Sequence, residues 1–356
     1  MKMLNIVSAK VWGGGEQYVY DVCYEMTKRN IENYVLIDQR NSFLQDRFSR
    51  VSNILTADLY SFHGIKAVST ILNIIDTYGI DVINCHSGKM MPLCLLLKHL
   101  RNIKILLFKH NAVPVKNDIY HRYLRNQTDA IVCVSDLVYQ LQVDGLSDAD
   151  KQKYHIVHNG ILLERFEKYK EKENLRDEFV IGYAGRITEN KGIGVLLQAI
   201  KSLHDVHSNI VFNFVGAIEG SYIDTIKQEI KTNAMEGYVS YNGLEKDMEK
   251  FYKSIDVLVL PSLVREAFGL VICEAMYCGA IVVTSNSGAQ SEIIDDGKDG
   301  FIIEQITPEN ICKRLDSLYQ SFDSLESLRK NARLKVENKF SISRTVDGII
   351  NICNMI

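Results

Sequence analysis

Short, largely apolar runs recur along the chain: residues 4–8, 34–37, 81–85, 104–108 and 130–135 in the first half, then 179–184, 210–215, 255–260 and 280–284, with a more polar strand at 239–243. Continuous rather than alternating hydrophobicity marks strands buried on both faces, the habit of parallel sheets. Between these runs, apolar residues at three- and four-residue spacing predict a helix after the glycine turn at 13–16 and through Arg29, helices at 64–78 and 91–100, and one beginning near Phe268 and stopped by Gly279. Strands alternating with helices predict an α/β chain with a parallel sheet in each half. The dense charge run 167–178 reads as the connection between the halves. A basic helix at 325–340 and an amphipathic one at 342–356 close the sequence.

The richest chemistry lies where the run 255–260 ends. Pro261 stops the strand, a loop carries Arg265 and Glu266, and Phe268-Gly269-Leu270 opens the next helix. Such a loop sits at the carboxyl edge of a parallel sheet against a helix N-terminus. Unpaired N–H groups and the helix dipole favour an anion there, and Gly269 lets backbone approach closely. Glu274 lies about one turn, roughly 6 Å, beyond Leu270. That offset suits a ribose, whose paired hydroxyls can donate to a carboxylate. Two solvated glutamates on an ordinary helix are the plainer alternative.

Four other strand ends add to the picture. Gly13-Gly14-Gly15-Glu16 follows the first strand, where a doubly wound fold lets backbone meet phosphate. It is not G-x-G-x-x-G, which counts against a nicotinamide cofactor; a flexible turn is the other reading. Gly185-Arg186 through Lys191-Gly192 supplies two cations, one able to grip phosphate bidentately and one a mobile point charge. His86-Ser87 and Lys109-His110-Asn111 end consecutive strands, so two histidines share a sheet edge, as sugar-handling groups or as structural caps.

Composition narrows the class. A chain of 356 residues suits two domains, and 46% hydrophobic with 24% charged residues is ordinary for a globular protein. The eight cysteines form no C-x-x-C pair and read as reduced core thiols of a cytosolic protein. Neither an export signal nor a run of about 18 apolar residues is visible. Residues 1–165 carry 19 Lys and Arg against 16 Asp and Glu, and the remainder 22 against 28. Between Lys89 and Arg125 eight basic residues face only Asp118. A solvated helix face accounts for this, as does attraction to an anionic acceptor or membrane surface.

Taken together, Glu266 and Glu274 resemble the E-x7-E signature of retaining glycosyltransferases of the GT-B fold, the group 1 or GT4 family. The resemblance extends to the G-G-x-E turn at Gly13, Gly14 and Glu16, to G-R-x4-K-G at 185–192, and to the Asn159-Gly160 approach to Phe166. It covers nearly the whole chain in the family's order. One departure lies in Ser287-Gly288-Ala289-Gln290-Ser291-Glu292, which resembles the family's "GG-x2-E" loop with one glycine replaced, and which for that reason carries less weight alone.

The resemblance implies two Rossmann-like doubly wound domains facing a central cleft: an acceptor-binding domain at 1–165, a nucleotide-sugar donor domain at 166–339, and a helix, 340–356, crossing back onto the first. It implies donor contacts from Gly14, Gly15, Arg186, Lys191, Glu266, Phe268, Gly269, Leu270 and Glu274. The catalytic set is His110, Glu266, Arg186 and Lys191, with His86 and Ser87 in the acceptor pocket. The turns at 215–219 and 241–244 would cover the nucleobase. The expected activity is retaining transfer from a nucleotide-diphosphate sugar to a saccharide or lipid-linked acceptor in cell-surface polysaccharide or glycolipid assembly. A UDP-sugar is favoured slightly over a GDP-sugar. No cofactor and no metal are expected, since no D-x-D stands between paired strands; nor is a nucleic-acid partner. The expected place is the cytoplasm, with contact to the inner-membrane face through the basic first domain. A non-catalytic nucleotide-sugar-binding subunit and a sugar-nucleotide epimerase on the same fold are the alternatives.

Overall fold

The computed structural model describes residues 1–61, 66–169 and 178–356. The start of the expected helix at 64–78 and most of the charge run 167–178 lie outside them. The chain divides into two compact units, Met1–Leu162 with Ser341–Ile356, and Leu163–Phe340.

The first unit is built on seven strands: β1 (Met3–Val7), β2 (Asn33–Asp38), β3 (Asn53–Ala57), β4 (Val82–Cys85), β5 (Lys104–Lys109), β6 (Ala130–Cys133) and β7 (Tyr154–Ile156), in the order β3-β2-β1-β4-β5-β6-β7. All pairings are parallel. Every residue of β1, β2, β4 and β6 is buried, which is why those segments read as largely apolar runs, Asn5, Asn33, Asp38 and Asn84 being the buried polar exceptions. The edge strands β3 and β7 were not visible as such. At β3, Asn53 and Thr56 are exposed, and an edge strand needs little hydrophobicity.

Polar helices were also hidden. Ile119–Gln127 buries only Arg125, and Asp118 caps it by accepting from the His121 backbone N–H at 3.1 Å. Asp136–Val143 is capped in the same way by Ser135. The C-terminal helix Ile342–Met355 packs in this first unit. It buries Ile342, Val346, Ile349 and Ile352, each contributing about 1.5–3 kcal/mol. Arg29 ties it down, donating to Asp347 at 2.5 Å and to the Ser343 carbonyl at 2.9 Å.

The second unit holds β8 (Phe179–Ala184), β9 (Ile210–Val215), β10 (Val239–Tyr241), β11 (Val257–Leu260), β12 (Ile281–Ser285) and β13 (Phe301–Ile303), ordered β10-β9-β8-β11-β12-β13 and all parallel. Its core runs from Phe179 and Ile181 through Phe212, Val257 and Val283 to Ile311 and Leu315. The backbone N–H groups of Lys168 and Tyr169 donate to the buried Glu249 carboxylate at 3.1 and 2.8 Å, so the first residues of the charge run are tied to this unit. All eight cysteines are free thiols, six of them buried. Among the described residues no helix is long and apolar enough to cross a membrane.

Both sheets are doubly wound, reversing direction between β1 and β4 and between β8 and β11. Crevices at the carboxyl ends of such strand pairs are where open α/β sheets bind ligands.

Candidate active site

At the second reversal, the turn after β8 and the loop after β11 are fastened together by backbone. The Leu263 N–H donates to the Asn190 carbonyl at 2.9 Å. Gly192 permits this contact: it sits at φ 75°, and a Cβ there would lie 2.1 Å from the Pro261 carbonyl oxygen. The result brings Lys191 to Glu266, and the two side chains form a hydrogen-bonded ion pair that is largely screened from water. Ser262 Oγ donates to the same Glu266 oxygen at 2.6 Å. Behind the loop stands Gly288, where a Cβ would lie 2.4 Å from both the N and the O of Glu266, while the Ala289 N–H donates to the Glu266 carbonyl at 2.9 Å. The glycine kept in the loop at 287–292, Gly288, is thus the one against the Glu266 backbone.

Gly269 caps the helix Leu270–Tyr277, six of whose eight residues are buried. The helix therefore has no solvent face, and Glu274 points inward, 7% exposed. Its Oε2 accepts from Tyr252 Oη at 2.7 Å, and Arg165 Nη1 lies 3.7 Å from Oε1. Burial holds this carboxyl above the usual range, partly offset by Arg165 and the tyrosine hydrogen bond. A buried carboxylate with spare lone pairs is costly to keep.

Arg186, the other cation of the turn after β8, does not share Lys191's partner. It pairs with Glu219 at 2.8 Å, both side chains being well exposed. The turns expected at the nucleobase are joined to this region: Ile187 N–H donates to the Ala217 carbonyl at 2.9 Å, Gly216 N–H to Gly243 at 2.8 Å, and Tyr241 Oη to Gly216 at 2.8 Å.

In the first unit, β4 and β5 bring the two histidines together. His86 Nδ1 and His110 Nε2 are 3.1 Å apart, and His86 Nε2 is 3.2 Å from Asn5 Oδ1, which also accepts from Asn84 Nδ2 at 3.0 Å. The Asn5 oxygen accepts, so His86 Nε2 carries the proton and its bare Nδ1 accepts from His110 Nε2–H. His110 Nδ1 is left as an acceptor. Burial drives both imidazoles neutral, His110 to about 4, with His110 adding to the depression of His86. Tyr18, buried with an unpaired hydroxyl, packs edge-on to His110. Ser87 lies at the end of the same strand and lines a cavity with both histidines.

At the first reversal, Gly14 and Gly15 begin the helix Gly14–Lys28, and nothing lies within 4 Å of where a Cβ would stand on either. Burial raises the Glu16 carboxyl, against hydrogen bonds from the backbone. Ser262, Tyr252, Arg165, Glu219 and Asn5 were not singled out from sequence. Ser262, Arg165 and Glu219 lie inside stretches read from sequence without being defining positions of them, and Tyr252 and Asn5 lie outside every motif and reach their partners across 22 and 81 residues.

The comparisons with known proteins agree across both units. The model for Glycosyltransferase Family 4 matches residues 12–165 and that for Glycosyl transferases group 1 matches 165–335. The chain is 27% identical to spore coat protein SA of Bacillus subtilis over 241 residues, 62% of this chain and 64% of that one. It is 32% identical to the capsular polysaccharide biosynthesis glycosyltransferase CapM of Staphylococcus aureus over 189 residues, 51% of this chain and 49% of that one. The chain thus spans about half to two thirds of the length of these two relatives. The crystal structure of Anabaena HepE in complex with UDP and glucose superposes with a TM-score of 0.83 at 16% identity, covering 100% of both chains, which shows the GT-B fold. With one glycosyltransferase family model on each half and that fold throughout, this chain belongs to the group 1 glycosyltransferases and is a glycosyltransferase enzyme.

Proposed function

We propose that the protein is a retaining, metal-independent glycosyltransferase that uses a nucleotide-diphosphate sugar, a UDP-sugar in preference to a GDP-sugar. The acceptor is a saccharide or a lipid-linked saccharide of cell-surface polysaccharide or glycolipid assembly. The observation that carries this reading is the Lys191–Glu266–Ser262 cluster beside the helix that Gly269 caps, at the reversal of the second sheet. Lys191 and the N–H groups of that helix would take up the leaving diphosphate's charge. Arg186 would join them by exchanging Glu219 for phosphate, a change that costs little because the pair is exposed. Glu266, with Phe268 and Leu270 on either side of Gly269, would orient the sugar, and Glu274 would accept from the ribose hydroxyls.

Other features support the same reading. Gly14 and Gly15 lack any protein neighbour that forbids a side chain, so their bareness suits the close approach of donor phosphate. Exposed Ile218 and Leu244 offer apolar surface for a base. HepE is seen with UDP, and CapM acts in capsular polysaccharide biosynthesis. The surplus of basic residues in the first unit suits work at an anionic membrane surface in the cytoplasm.

Incubation with UDP-, GDP- and ADP-sugars, with and without acceptors, tests the proposal. Nucleotide release that depends on acceptor, persists in EDTA and yields a product of the donor's anomeric configuration is expected. Binding without release would show a non-catalytic subunit, and donor isomerisation an epimerase. His110→Ala should lower kcat by about 10²-fold, the lower end for a positioned proton acceptor, with donor KM little changed. A KM-only effect in steady-state kinetics would remove His110 from the reacting centre.

A further inference from the structure

The first unit contains a cavity of about 1010 Å³ that opens from His86 and His110 and carries more positive charge than its surroundings balance. Lys109, Lys116 and Arg125 all line it. Arg125 is only 9% exposed; two of its five N–H donors are used, on the Lys116 carbonyl at 2.6 Å and Asn117 Oδ1 at 2.8 Å. Among the described residues no carboxylate forms an ion pair with any of the three cations. The nearest acid in sequence, Asp118, is spent on its helix cap and on His121 Nδ1 at 2.6 Å. Burial pushes the Lys109 amine down; Arg125 and Lys116 push it the same way, against the neighbouring Cys133 and Cys85 thiols. Arg125 is buried and Lys109 half-buried without a paired carboxylate among the described residues, a costly arrangement that an anion relieves.

Ser87, Lys89, Asn111, His121 and Gln142 add polar groups to the lining, and much of the remaining wall is apolar. Met91, Pro92, Leu107, Phe108 and Leu124 line it, and Val113 and Tyr120, 54% and 53% exposed, stand on the same lining with apolar surface open to solvent. Gln142 holds the Val113 carbonyl at 2.8 Å and keeps a buried Oε1 with no donor. A purely saccharide ligand would not use this apolar surface, and a bare phosphate would leave it empty.

Resting on the glycosyltransferase reading above, we propose that this cavity is the acceptor subsite for an amphiphilic phosphate. Lys109, Lys116 and Arg125 hold a phosphate or diphosphate monoester, its alkyl or prenyl chain lies along Leu107, Phe108, Leu124 and Val113, and the acceptor hydroxyl comes to His110. The acceptor is then a lipid phosphate carrying a sugar, and the anion subsite sets specificity.

Calorimetric titration of the full chain with farnesyl phosphate, farnesol, inorganic phosphate and a glucuronate-bearing oligosaccharide tests this, with UDP titrated into the same samples. The expected result is that farnesyl phosphate binds at least ~10-fold more tightly than each of the others, a difference of about 1.4 kcal/mol or more. Lys109→Gln and Lys116→Gln should each weaken farnesyl phosphate about 10-fold and leave UDP affinity unchanged. Lys116 is exposed, so its variant tests the idea even where Lys109→Gln fails to fold. Equal binding of farnesol would reduce the site to an apolar hole. Equal binding of inorganic phosphate would leave an adventitious ion only, tighter binding of the acidic saccharide would assign a different acceptor, and unaltered affinity in both variants would remove the cations from the site; each overturns the proposal. Vesicles of phosphatidylglycerol that bind wild type and variants alike, in the absence of farnesyl phosphate binding, would place the basic charge at a membrane surface and also overturn it. Loss of UDP binding by the wild type would count against the donor reading and not against this one.

Discussion

Replacing Lys191 with methionine should lower kcat/KM for sugar transfer by about 10²–10³-fold, the scale for removing one preorganised group from a charge that develops in the transition state. The argument is local. Lys191 is held by the turn after β8, and its amine already touches the Glu266 carboxylate before any substrate arrives. Methionine keeps the length of the side chain and removes the charge, so Glu266 loses its only ion-pair partner among the described residues while Ser262 Oγ remains on it. Steady-state kinetics with a UDP-sugar and acceptor would read the effect chiefly in kcat, because the diphosphate gains charge as the sugar–oxygen bond breaks. A loss under tenfold would mean that Lys191 serves only the fold.

The second large effect is steric. Gly288→Ala should cost roughly 1–3 kcal/mol of stability, as overpacking does, and should lower kcat on the order of 10²-fold, since a 1 Å shift of a positioning group has that consequence. A Cβ at Gly288 meets backbone atoms of Glu266 at 2.4 Å, and backbone cannot step aside as a side-chain tip can. Gly237→Ala is the matched control: nothing lies within 4 Å of its Cβ position. Thermal melts and kinetics on the pair should separate clearly, and two variants that behave alike would refute the contact.

The buried half of the fold was legible because parallel strands enclosed on both faces have to be apolar throughout. Phe179–Ala184, Ile210–Val215 and the helix Met91–Leu100 stand where their patterns place them. The edges were not legible, since Asn53–Ala57 and Ile119–Gln127 face solvent and their sequences satisfy water rather than a core. In the site, motif spacing brought Lys191 and Glu266 into view. What motifs could not show is how chain-distant groups engage them: Tyr252 on Glu274, Glu219 on Arg186, Asn5 fixing the His86 tautomer. Gly288 was legible as a glycine of a loop that departs from the family pattern, and its contact was not. A loop with one glycine fewer than its family looks impaired until the contact with the Glu266 backbone is seen.

The central claim is that a pyrophosphate binds where the turn after β8 and the loop after β11 meet. Hydrogen–deuterium exchange with and without UDP tests it most directly. UDP should slow exchange at residues 185–192 and 262–274, the segments joined by the Asn190–Leu263 hydrogen bond and the Lys191–Glu266 pair. Saturating UDP that leaves both segments exchanging at their unliganded rates, or protects only segments elsewhere, would contradict it.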